Sequence, residues 1–252
     1  MSPALVTGKR AVLEAIRAGA VDEVVIARGA RRGQGLLDLL EAAEEAQVRV
    51  REVPRERLDA MADPGEHRGV VARVRAEAVR ATLGEHDLAV FGFADDAIVV
   101  VLDGVDDPQN LGAAARSAEA AGAAMLVTRT RRAAPVSPAA IRASAGALAH
   151  LPHARVANIA RAIGRLQEAG FTVVGLDGGA PETVYETPCP AGRVALVVGS
   201  EGTGMSRLVR ERCDALVALP LRGKIDSLNA AASLAAVLYA WVLPTRGGWS
   251  GG

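Results

Sequence analysis

The chain has 252 residues, with 29 basic and 29 acidic side chains, four His and two Cys. This length indicates one large domain or two smaller ones, and 50% hydrophobic with 23% charged residues excludes long disorder and is typical of a soluble globular protein. The zero net charge provides no overall basic excess of the kind that points to nucleic acid. Cys189 and Cys213 form no C-x-x-C pair, so neither a disulfide framework nor a metal site is predicted.

The N-terminus lacks the long apolar stretch of a signal peptide. The most apolar run, residues 230–243, is roughly 14 residues long against the ~20 needed to span a bilayer. We therefore expect a cytoplasmic protein without a membrane segment, in which this run forms a buried helix.

Hydrophobic periodicity divides the chain into two parts. The first, residues 1–76, is predicted to be a small α/β domain, and residues 77–96 mix charges with Gly84 and Gly92 as linkers do. The predicted helices of the first part are 8–19, 36–46 and 55–62, and its strands are 21–27, 48–53 and 69–74.

The second part, residues 97–252, alternates near-continuous apolar strands with helices. This pattern predicts an α/β domain with a parallel sheet covered on both faces, whose ligands bind beyond the carboxyl ends of the strands. The predicted strands are 98–102, 124–127, 172–176, 194–198 and 215–219, and the helices are 111–121, 138–148, 159–169, 206–213 and 228–242.

The first unusual strand-end loop reads Asp-Gly-Val-Asp-Asp-Pro-Gln-Asn from residue 103 to 110 and leads into a helix. Asn110 is interpreted as the N-cap of this helix, and Arg116 follows six residues later. A capped helix with one exposed Arg is an equally good interpretation of this loop alone.

The second loop reads Gly-Ser-Glu-Gly-Thr-Gly-Met-Ser from residue 199 to 206. Its spacing is near that of a P-loop, but Met205 replaces the phosphate-binding Lys, and Glu201 would repel a triphosphate. Three glycines in six residues indicate close backbone contact with a ligand that is neutral or cationic at its reactive end, although a plain turn is the alternative.

The third loop, residues 220–229, ends in Ser227-Leu228-Asn229 and runs into an Ala-rich helix. Ser227 or Asn229 can cap that helix, or offer hydrogen bonds to a ligand. Each loop is a weak signal alone, but three polar loops at the rim of one sheet predict a site.

These segments resemble the three signature motifs of the SpoU-type RNA ribose 2′-O-methyltransferases of the SPOUT superfamily. The matching stretches are 102–117, 197–205 and 219–229, and residues 8–16 and 67–72 resemble the L30e-like substrate-binding domain of many members. The resemblance covers nearly the whole chain, and it is greatest to the bacterial enzymes that methylate a guanosine of 23S rRNA.

The resemblance implies a C-terminal domain with a deep trefoil knot that binds S-adenosylmethionine, and no metal. Gly199, Leu219 and Leu228 match the family's backbone contacts to the cofactor. The resemblance also implies a homodimer through the knotted domain, with Arg116 entering the partner's site. The positions that match the family's active site are Asn110, Arg116, Glu201, Ser227 and Asn229.

One departure lies in the last helix, where Ala-Ala-Ala-Ser-Leu-Ala replaces a more usual Val-Ser-Val-Ala-like run. The residues stay small, so we expect altered packing with activity retained. The family proposal makes Arg116 the base, but Arg is essentially never deprotonated in proteins. We expect Arg116 to hold the neighbouring phosphate and stabilise the developing alkoxide, while Asn110 and Glu201 orient it and the nucleotide.

Basic residues are locally concentrated in spite of the neutral total. From residue 116 to 165 there are eight Arg and one acid, Glu119. We expect one RNA-binding surface, with solvated helix faces as the alternative for about half of these side chains. Its predicted members are Arg28, Arg31, Arg32, Arg129, Arg131, Arg132 and Arg142.

Four alternatives are open at this point. A tRNA substrate or an antibiotic-resistance rRNA site would change only the target, whereas an inactive RNA-binding paralogue would lack catalysis. A small nucleotide-binding enzyme such as a dehydrogenase is disfavoured, because the glycine fingerprint is missing.

Overall fold

The computed structural model describes residues 4–17, 21–30, 33–62, 67–74, 83–224 and 227–245. The N-terminal unit is a four-stranded sheet of order β1-β4-β2-β3, in which β2 and β3 are parallel and β4 runs antiparallel to both β1 and β2. Its strands are β1 (Ala4–Thr7), β2 (Val21–Ala27), β3 (Arg49–Val53) and β4 (Val70–Val74), and its helices are α1 (Lys9–Arg17), α2 (Gln34–Glu45) and α3 (Arg55–Asp59).

The C-terminal unit confirms the predicted parallel sheet: six strands in the order β10-β8-β9-β5-β6-β7, every pair parallel. The strands are β5 (Ile98–Asp103), β6 (Met125–Arg129), β7 (His153–Val156), β8 (Thr172–Leu176), β9 (Val194–Gly199) and β10 (Ala215–Val217). The helices are α4 (Asp87–Val90), α5 (Pro108–Ala120), α6 (Pro138–Ala143), α7 (Ala147–His150), α8 (Ile159–Glu168), α9 (Arg207–Arg212) and α10 (Ala230–Val237), followed by a π-helical turn (Leu238–Val242) and a 3₁₀ turn (Leu243–Thr245).

Helices cover both faces of this sheet, which explains why β5 and β9 are buried along their whole length and apolar except for Asp103 at the end of β5. Side chains alternate across β5: Val100 packs into the core shared with α5 and α10, whereas Val99 and Val101 pack into the core shared with α8 and α9. The sheet therefore has two separate hydrophobic layers, and α5 and α10 share one of them.

The neighbouring strands β5 and β9 mark a switch point in the sheet. From β5 the chain continues to β6 on one side, and from β9 it continues to β10 at the opposite edge. Because the two connections diverge, a crevice opens beyond the carboxyl ends of these strands, where open α/β sheets bind their ligands.

Helix α6 connects the two units. On one side it packs closely on α5, where a Cβ added to Gly112 would lie 2.4 Å from the carbonyl oxygen of Ala140. On the other side Ile141 is 9% exposed and belongs to the hydrophobic core of the N-terminal unit. A Cβ on Gly146 would likewise meet the Cβ of Glu14 at 2.9 Å. These short distances require glycine at both positions. The packing of α6 against both units holds them together.

Several elements differ from the sequence predictions. The strands β1 and β7 were not predicted, because four residues are too few to show a period. The predicted helix 138–148 is divided into α6 and α7, because Ala145 and Gly146 take positive φ values of 49° and 96°. The described part of the predicted linker packs on the C-terminal unit, since Leu88 is fully buried in its core and Leu83 exchanges backbone hydrogen bonds with β7.

Within the described ranges no helix has the length and apolar character needed to cross a bilayer. Cys189 and Cys213 are both free thiols. Burial, together with the nearby carboxylates of Asp214 and Asp103, raises the pKa of the Cys213 thiol to about 12. This thiol therefore stays protonated and belongs to the packing between α9 and the sheet.

Candidate active site

Helix α5 begins earlier than the sequence predicted. Its N-cap is Asp107, whose side chain accepts a hydrogen bond of 2.9 Å from the backbone N–H of Gln109, and Pro108 occupies the first helical position. The prediction that Asn110 caps this helix is therefore wrong. With the cap supplied by Asp107, the amide of Asn110 lies inside the first turn and is available for contacts across the crevice.

The three predicted loops meet through three polar side chains. Asn110 Nδ2 donates to Glu201 Oε1 at 2.7 Å, and Asn229 Nδ2 donates to Asn110 Oδ1 at 2.7 Å. Asn229 Nδ2 also donates to Glu201 Oε1. Side chains separated by up to 119 positions in the chain thus form one hydrogen-bonded cluster. We call Asn110, Glu201 and Asn229 the amide–carboxylate cluster.

Asn229 has two functions in the structure. Its Oδ1 accepts hydrogen bonds from the backbone N–H groups of Ala231 at 2.9 Å and Ala232 at 3.1 Å, so it is the N-cap of α10. Its Nδ2 group belongs to the amide–carboxylate cluster. The prediction that Asn229 can cap the helix is confirmed, and the same amide also joins the cluster, because it is donor and acceptor together.

The loop after β9 is a tight turn that folds back on its own strand. Ser200 and Gly204 exchange two backbone hydrogen bonds, and Gly202 and Gly204 have φ values of +81° and +66°. A Cβ on Gly199 would lie 2.1 Å from the carbonyl carbon of Gly204, a distance that no side chain tolerates. Gly199 is therefore required by the closeness of the loop, which in turn fixes where Glu201 stands.

A cavity beyond the carboxyl ends of β8, β9 and β10 contains all three residues predicted to bind a cofactor: Gly199, Leu219 and Leu228. Glu201 and Ser227 also line it, so it adjoins the amide–carboxylate cluster. Further lining residues that the sequence predictions missed are Leu176, Asp177, Gly178, Leu221 and Ser233. A signal for Asp177 and Gly178 was present, because Asp-Gly-Gly directly follows the predicted strand 172–176.

The walls of this cavity match the chemistry of S-adenosylmethionine. Leu176, Leu219 and Leu228 provide apolar surface for an adenine ring, and the carboxylate of Glu201 favours a cationic sulfonium. The charge of Asp177 is paired with Arg210 at 2.9 Å. A site for a nucleoside triphosphate would be expected to contain Lys or Arg, and the described lining contains neither. Over the described ranges, no group of three or more potential metal ligands is found.

Arg116 lies apart from the cluster in the same chain. It is exposed on α5, six residues beyond Asn110, which places it about 9 Å along the helix and about 120° around it. Within the described part of the chain its guanidinium forms no hydrogen bond or ion pair. The structure therefore brings together four of the five predicted catalytic residues at one cavity rim and leaves the fifth on an outer helix face.

Beneath the crevice lies Asp103, a residue that the sequence predictions passed over. It is 2% exposed; its Oδ1 atom lies 2.7 Å from a guanidinium nitrogen of Arg129, and its Oδ2 atom accepts a hydrogen bond of 2.7 Å from the backbone N–H of Ser206. Asp103 thus connects the ends of β5 and β6 to the start of α9. Arg129, which was predicted to contact RNA, forms an ion pair with this buried carboxylate.

The other basic residues predicted to bind RNA occupy separate places. Arg131 and Arg132 are exposed after β6, and Arg132 lines an open cleft beside Asp103. Arg142 lies on α6 between the two units, and Arg28 is exposed after β2. Arg31 and Arg32 lie outside the described residues. One continuous RNA-binding surface stays a prediction.

Comparisons with known proteins identify the family of this chain. The sequence profile of the SpoU rRNA Methylase family matches residues 97–239, and the profile described as RNA 2′-O ribose methyltransferase substrate binding matches residues 5–79. An uncharacterized tRNA/rRNA methyltransferase of Mycolicibacterium vanbaalenii is 40% identical over 93% of this chain and 74% of its own length. The 23S rRNA (guanosine-2′-O-)-methyltransferase RlmB of Escherichia coli K12 is 38% identical over 86% of this chain and 88% of its own length.

Solved structures show the same likeness. The SpoU methyltransferase AviRb of Streptomyces viridochromogenes, in complex with the cofactor AdoMet, superposes with a TM-score of 0.76 at 28% identity, covering 96% of this chain and 90% of its own. A crystal structure of an RNA 2′-O ribose methyltransferase has a TM-score of 0.76 at 25% identity, covering 96% and 88%. The similarity therefore extends over both units.

Proposed function

Because the chain belongs to the SpoU rRNA methylase family, we propose that it transfers the methyl group of S-adenosylmethionine to a ribose 2′-hydroxyl in RNA. The observation that carries this proposal is the amide–carboxylate cluster, which joins three strand-end loops at the rim of one cavity. A 2′-hydroxyl distinguishes RNA from DNA, so this acceptor explains why the substrate is RNA.

The cofactor fits the cavity, where the backbone at Gly199, Leu219 and Leu228 would hold it. When bound, S-adenosylmethionine supplies an electrophilic methyl carbon on its sulfonium. Glu201 stands at the cavity rim with one carboxylate oxygen fixed by two amide donors, so its negative charge is held where a cationic centre is favoured. Ser227, which also lines the cavity, is placed to hold the ribose or the loop.

The acceptor hydroxyl is a very weak acid and must be positioned and helped to lose its proton. We assign to Arg116 the binding of the adjacent phosphate and the stabilisation of the developing alkoxide, which a permanently charged guanidinium does well. Asn110 orients the nucleotide from the opposite loop. A literal Arg base conflicts with the high pKa of the guanidinium group.

We also propose that the family's trefoil knot and homodimer apply to this chain. The separation of Arg116 from its own cluster supports the dimer, because a partner's Arg116 would then complete each site. The measurement is the molar mass in solution by light scattering, and a monomer with full activity would contradict this assignment.

The target we propose is a guanosine of 23S rRNA, the substrate in the name of the E. coli relative, and the location we propose is the cytoplasm. In this proposal residues 1–76 bind the RNA substrate, residues 77–96 connect them, and residues 97–252 carry the reaction. The name of the M. vanbaalenii relative includes tRNA, so tRNA is the second candidate.

Two measurements test the proposal. Calorimetry should show binding of S-adenosylmethionine in preference to NAD and ATP. Total RNA from a deletion strain, mapped by ribose-methylation sequencing against the parent strain, should lose one 2′-O-methyl group, and its position identifies the target. Loss of a tRNA site would replace the rRNA assignment, and binding without any lost methylation would contradict the enzymatic proposal.

A further inference from the structure

A basic cleft lies where the two units meet. It encloses about 750 Å³ and is lined by Thr7, Gly8 and Ala11 together with four cationic side chains, and the described lining contains no acidic residue. The cationic side chains, which define the basic cleft, are Lys9, Arg10, Arg68 and Arg142. Only Arg142 was expected from the sequence to contact RNA.

The topology of the N-terminal sheet brings three of these residues together. Because β4 runs antiparallel to both β1 and β2, the carboxyl end of β1 and the start of β4 lie at the same end of the sheet. The backbone N–H of Gly8 donates to the carbonyl oxygen of Val70 at 3.1 Å across this end. Residues that follow β1 and precede β4, Arg10 and Arg68, therefore face one opening.

Arg68 is presented by a fixed turn. His67 beside it is fully buried, with Nε2 at 2.7 Å from a carboxylate oxygen of Asp59 and Nδ1 accepting from the backbone N–H of Gly69 at 3.0 Å. The backbone N–H of Val70 closes the turn on the carbonyl of His67 at 2.8 Å. Arg68 itself has φ of 44° and is exposed, so the turn holds its backbone while its guanidinium reaches into the cleft.

The first turn of α1 adds a second source of positive potential. This helix has nine residues and begins at Lys9. Its first N–H groups have no acceptor within the helix, and its dipole places partial positive charge at this end. Together with the four cationic side chains, this arrangement favours an anion with several oxygens, such as a phosphate group.

Arg142 comes from the C-terminal unit and connects the cleft to the candidate active site. Its neighbour Ile141 is packed in the N-terminal core, which fixes Arg142 at the junction. The same helix touches α5 at Gly112, two residues after Asn110. The cleft and the amide–carboxylate cluster are thus separated by two closely packed helices.

We propose that the basic cleft binds a phosphate of the RNA backbone and holds the substrate strand while a distant ribose on the same molecule is methylated. This inference rests on the proposed function. Arg28 extends the basic surface, because it follows Ala27, whose backbone N–H donates to the carbonyl of Gly69 beside Arg68. Phosphate contacts position a strand without reading its sequence, so the cleft supplies affinity and register for either rRNA or tRNA.

The test compares two double variants with the same loss of charge. R10Q/R142Q removes one cleft cation from each unit. R17Q/R165Q removes one from each unit elsewhere, since Arg17 lies at the far end of α1 and Arg165 lies on α8, on the opposite face of the large sheet. Both control residues are ion-paired with neighbours on the surface, Glu14 and Glu168. The probe is a fluorescein-labelled single-stranded RNA, titrated by anisotropy over a series of NaCl concentrations.

We expect R10Q/R142Q to weaken RNA binding about tenfold at low salt and to reduce the slope of log K against log salt by about 1 to 1.5, since each lost phosphate contact on a single strand removes about 0.7. R17Q/R165Q should change neither the RNA affinity at low salt nor the salt slope by more than a third of the change expected for R10Q/R142Q. An unchanged slope in R10Q/R142Q, or an equal loss in the control, would overturn the cleft assignment. Inorganic phosphate, added at constant ionic strength, should compete only weakly; competition as strong as that of unlabelled RNA would show a site for the free anion instead.

Calorimetry with S-adenosylmethionine separates this test from that of the proposed function. Both double variants should bind the cofactor as the unmodified protein does, because none of the four residues lines that cavity. If the unmodified protein methylates no RNA, the proposed function fails whatever the salt slopes show. If it methylates RNA but the cleft variants keep their slope, only the cleft assignment fails.

Discussion

The active-site cavity and the basic cleft have opposite charge within one neutral chain. The described lining of the cavity contains Asp177 and Glu201 and no cation, whereas that of the cleft contains four cations and no acid. In our proposals the cavity binds a cationic methyl donor and the cleft binds an anionic RNA strand. Both regions lie in a chain whose acidic and basic totals are equal, so net charge is uninformative about partners here.

The two regions also differ in how they are built. The cavity forms at the strand ends of one parallel sheet, so its residues are positioned by a single rigid core. The cleft forms between two sheets that meet through α6. We therefore expect chemistry to depend on single side chains of the cavity rim, and RNA affinity to depend on the sum of several charges.

The largest effect should come from Arg116→Ala. Removing a donor that stabilises developing charge lowers the rate of methyl transfer by about 100- to 1000-fold. Single-turnover incorporation of labelled methyl groups into RNA measures it, with cofactor affinity by calorimetry as the control that should stay unchanged. Near-normal turnover would exclude Arg116 from the reaction.

The three arginines at 129–132 should separate into two classes. Arg129→Gln leaves the buried carboxylate of Asp103 without its cation and should lower the free energy of unfolding by about 3 kcal/mol, measured by urea denaturation. The matched control R131Q/R132Q removes exposed charges only, so stability should stay the same while the salt slope of RNA binding falls by about 1 to 1.5. Equal stability of the two variants would show that the Asp103–Arg129 pair is energetically neutral.

Acid should destabilise the sheet that carries the cavity without changing the charge of the cleft. Burial, with a smaller contribution from Arg155, lowers the pKa of His153 from 6.5 to about 4, and its Nε2 lies 2.8 Å from Thr128 Oγ1. Since the unfolded chain binds this proton more tightly, the stabilisation is complete above pH 6.5 and is lost as the pH falls towards 4, by about 3 kcal/mol in total.

Urea denaturation at pH 7 and at pH 4.5 measures this loss. His153→Gln should flatten the pH dependence over that interval, while the Lys and Arg side chains of the cleft keep their charge. An equally steep dependence in the variant would place the titrating group elsewhere.

The smallest effect should come from Glu201→Gln, which retains an oxygen acceptor for Asn110 and Asn229 but removes the charge. We expect affinity for S-adenosylmethionine to fall about tenfold, or ~1.4 kcal/mol, while the salt slope of RNA binding stays the same. Glu201→Ala, which also removes the hydrogen bonds, should weaken binding further. Unchanged affinity in Glu201→Gln would show that the carboxylate acts only by positioning the loops.

Much of the candidate site was predictable from the sequence, because strand ends of a parallel sheet converge. The motifs placed Asn110, Glu201 and Asn229 on three loops, and the structure brings them into one cluster. The residue that begins α5 was predicted wrongly, since Asp107 and Asn110 are equally good caps by composition and only Pro108 at the first helical position decides between them.

Other features depend on tertiary structure and leave little trace in local sequence. Asp103 ends an apolar strand, and its importance follows from Arg129 and Ser206, which are distant in the chain. Arg10 and Arg68 become neighbours of Arg142 only because β4 returns antiparallel beside β1 and α6 docks against them. Local periodicity contains no information about such pairings.

The double role of Asn229 constrains how this protein can change. Asp and Ser would cap α10 as well as Asn does, but Asp would place a second carboxylate against Glu201, and Ser is too short to bridge to Asn110. A mutation of Asn229 chosen to stabilise α10 would thus disrupt the amide–carboxylate cluster. Protein engineering that seeks a more thermostable variant should leave this helix start alone and work on surfaces remote from the crevice.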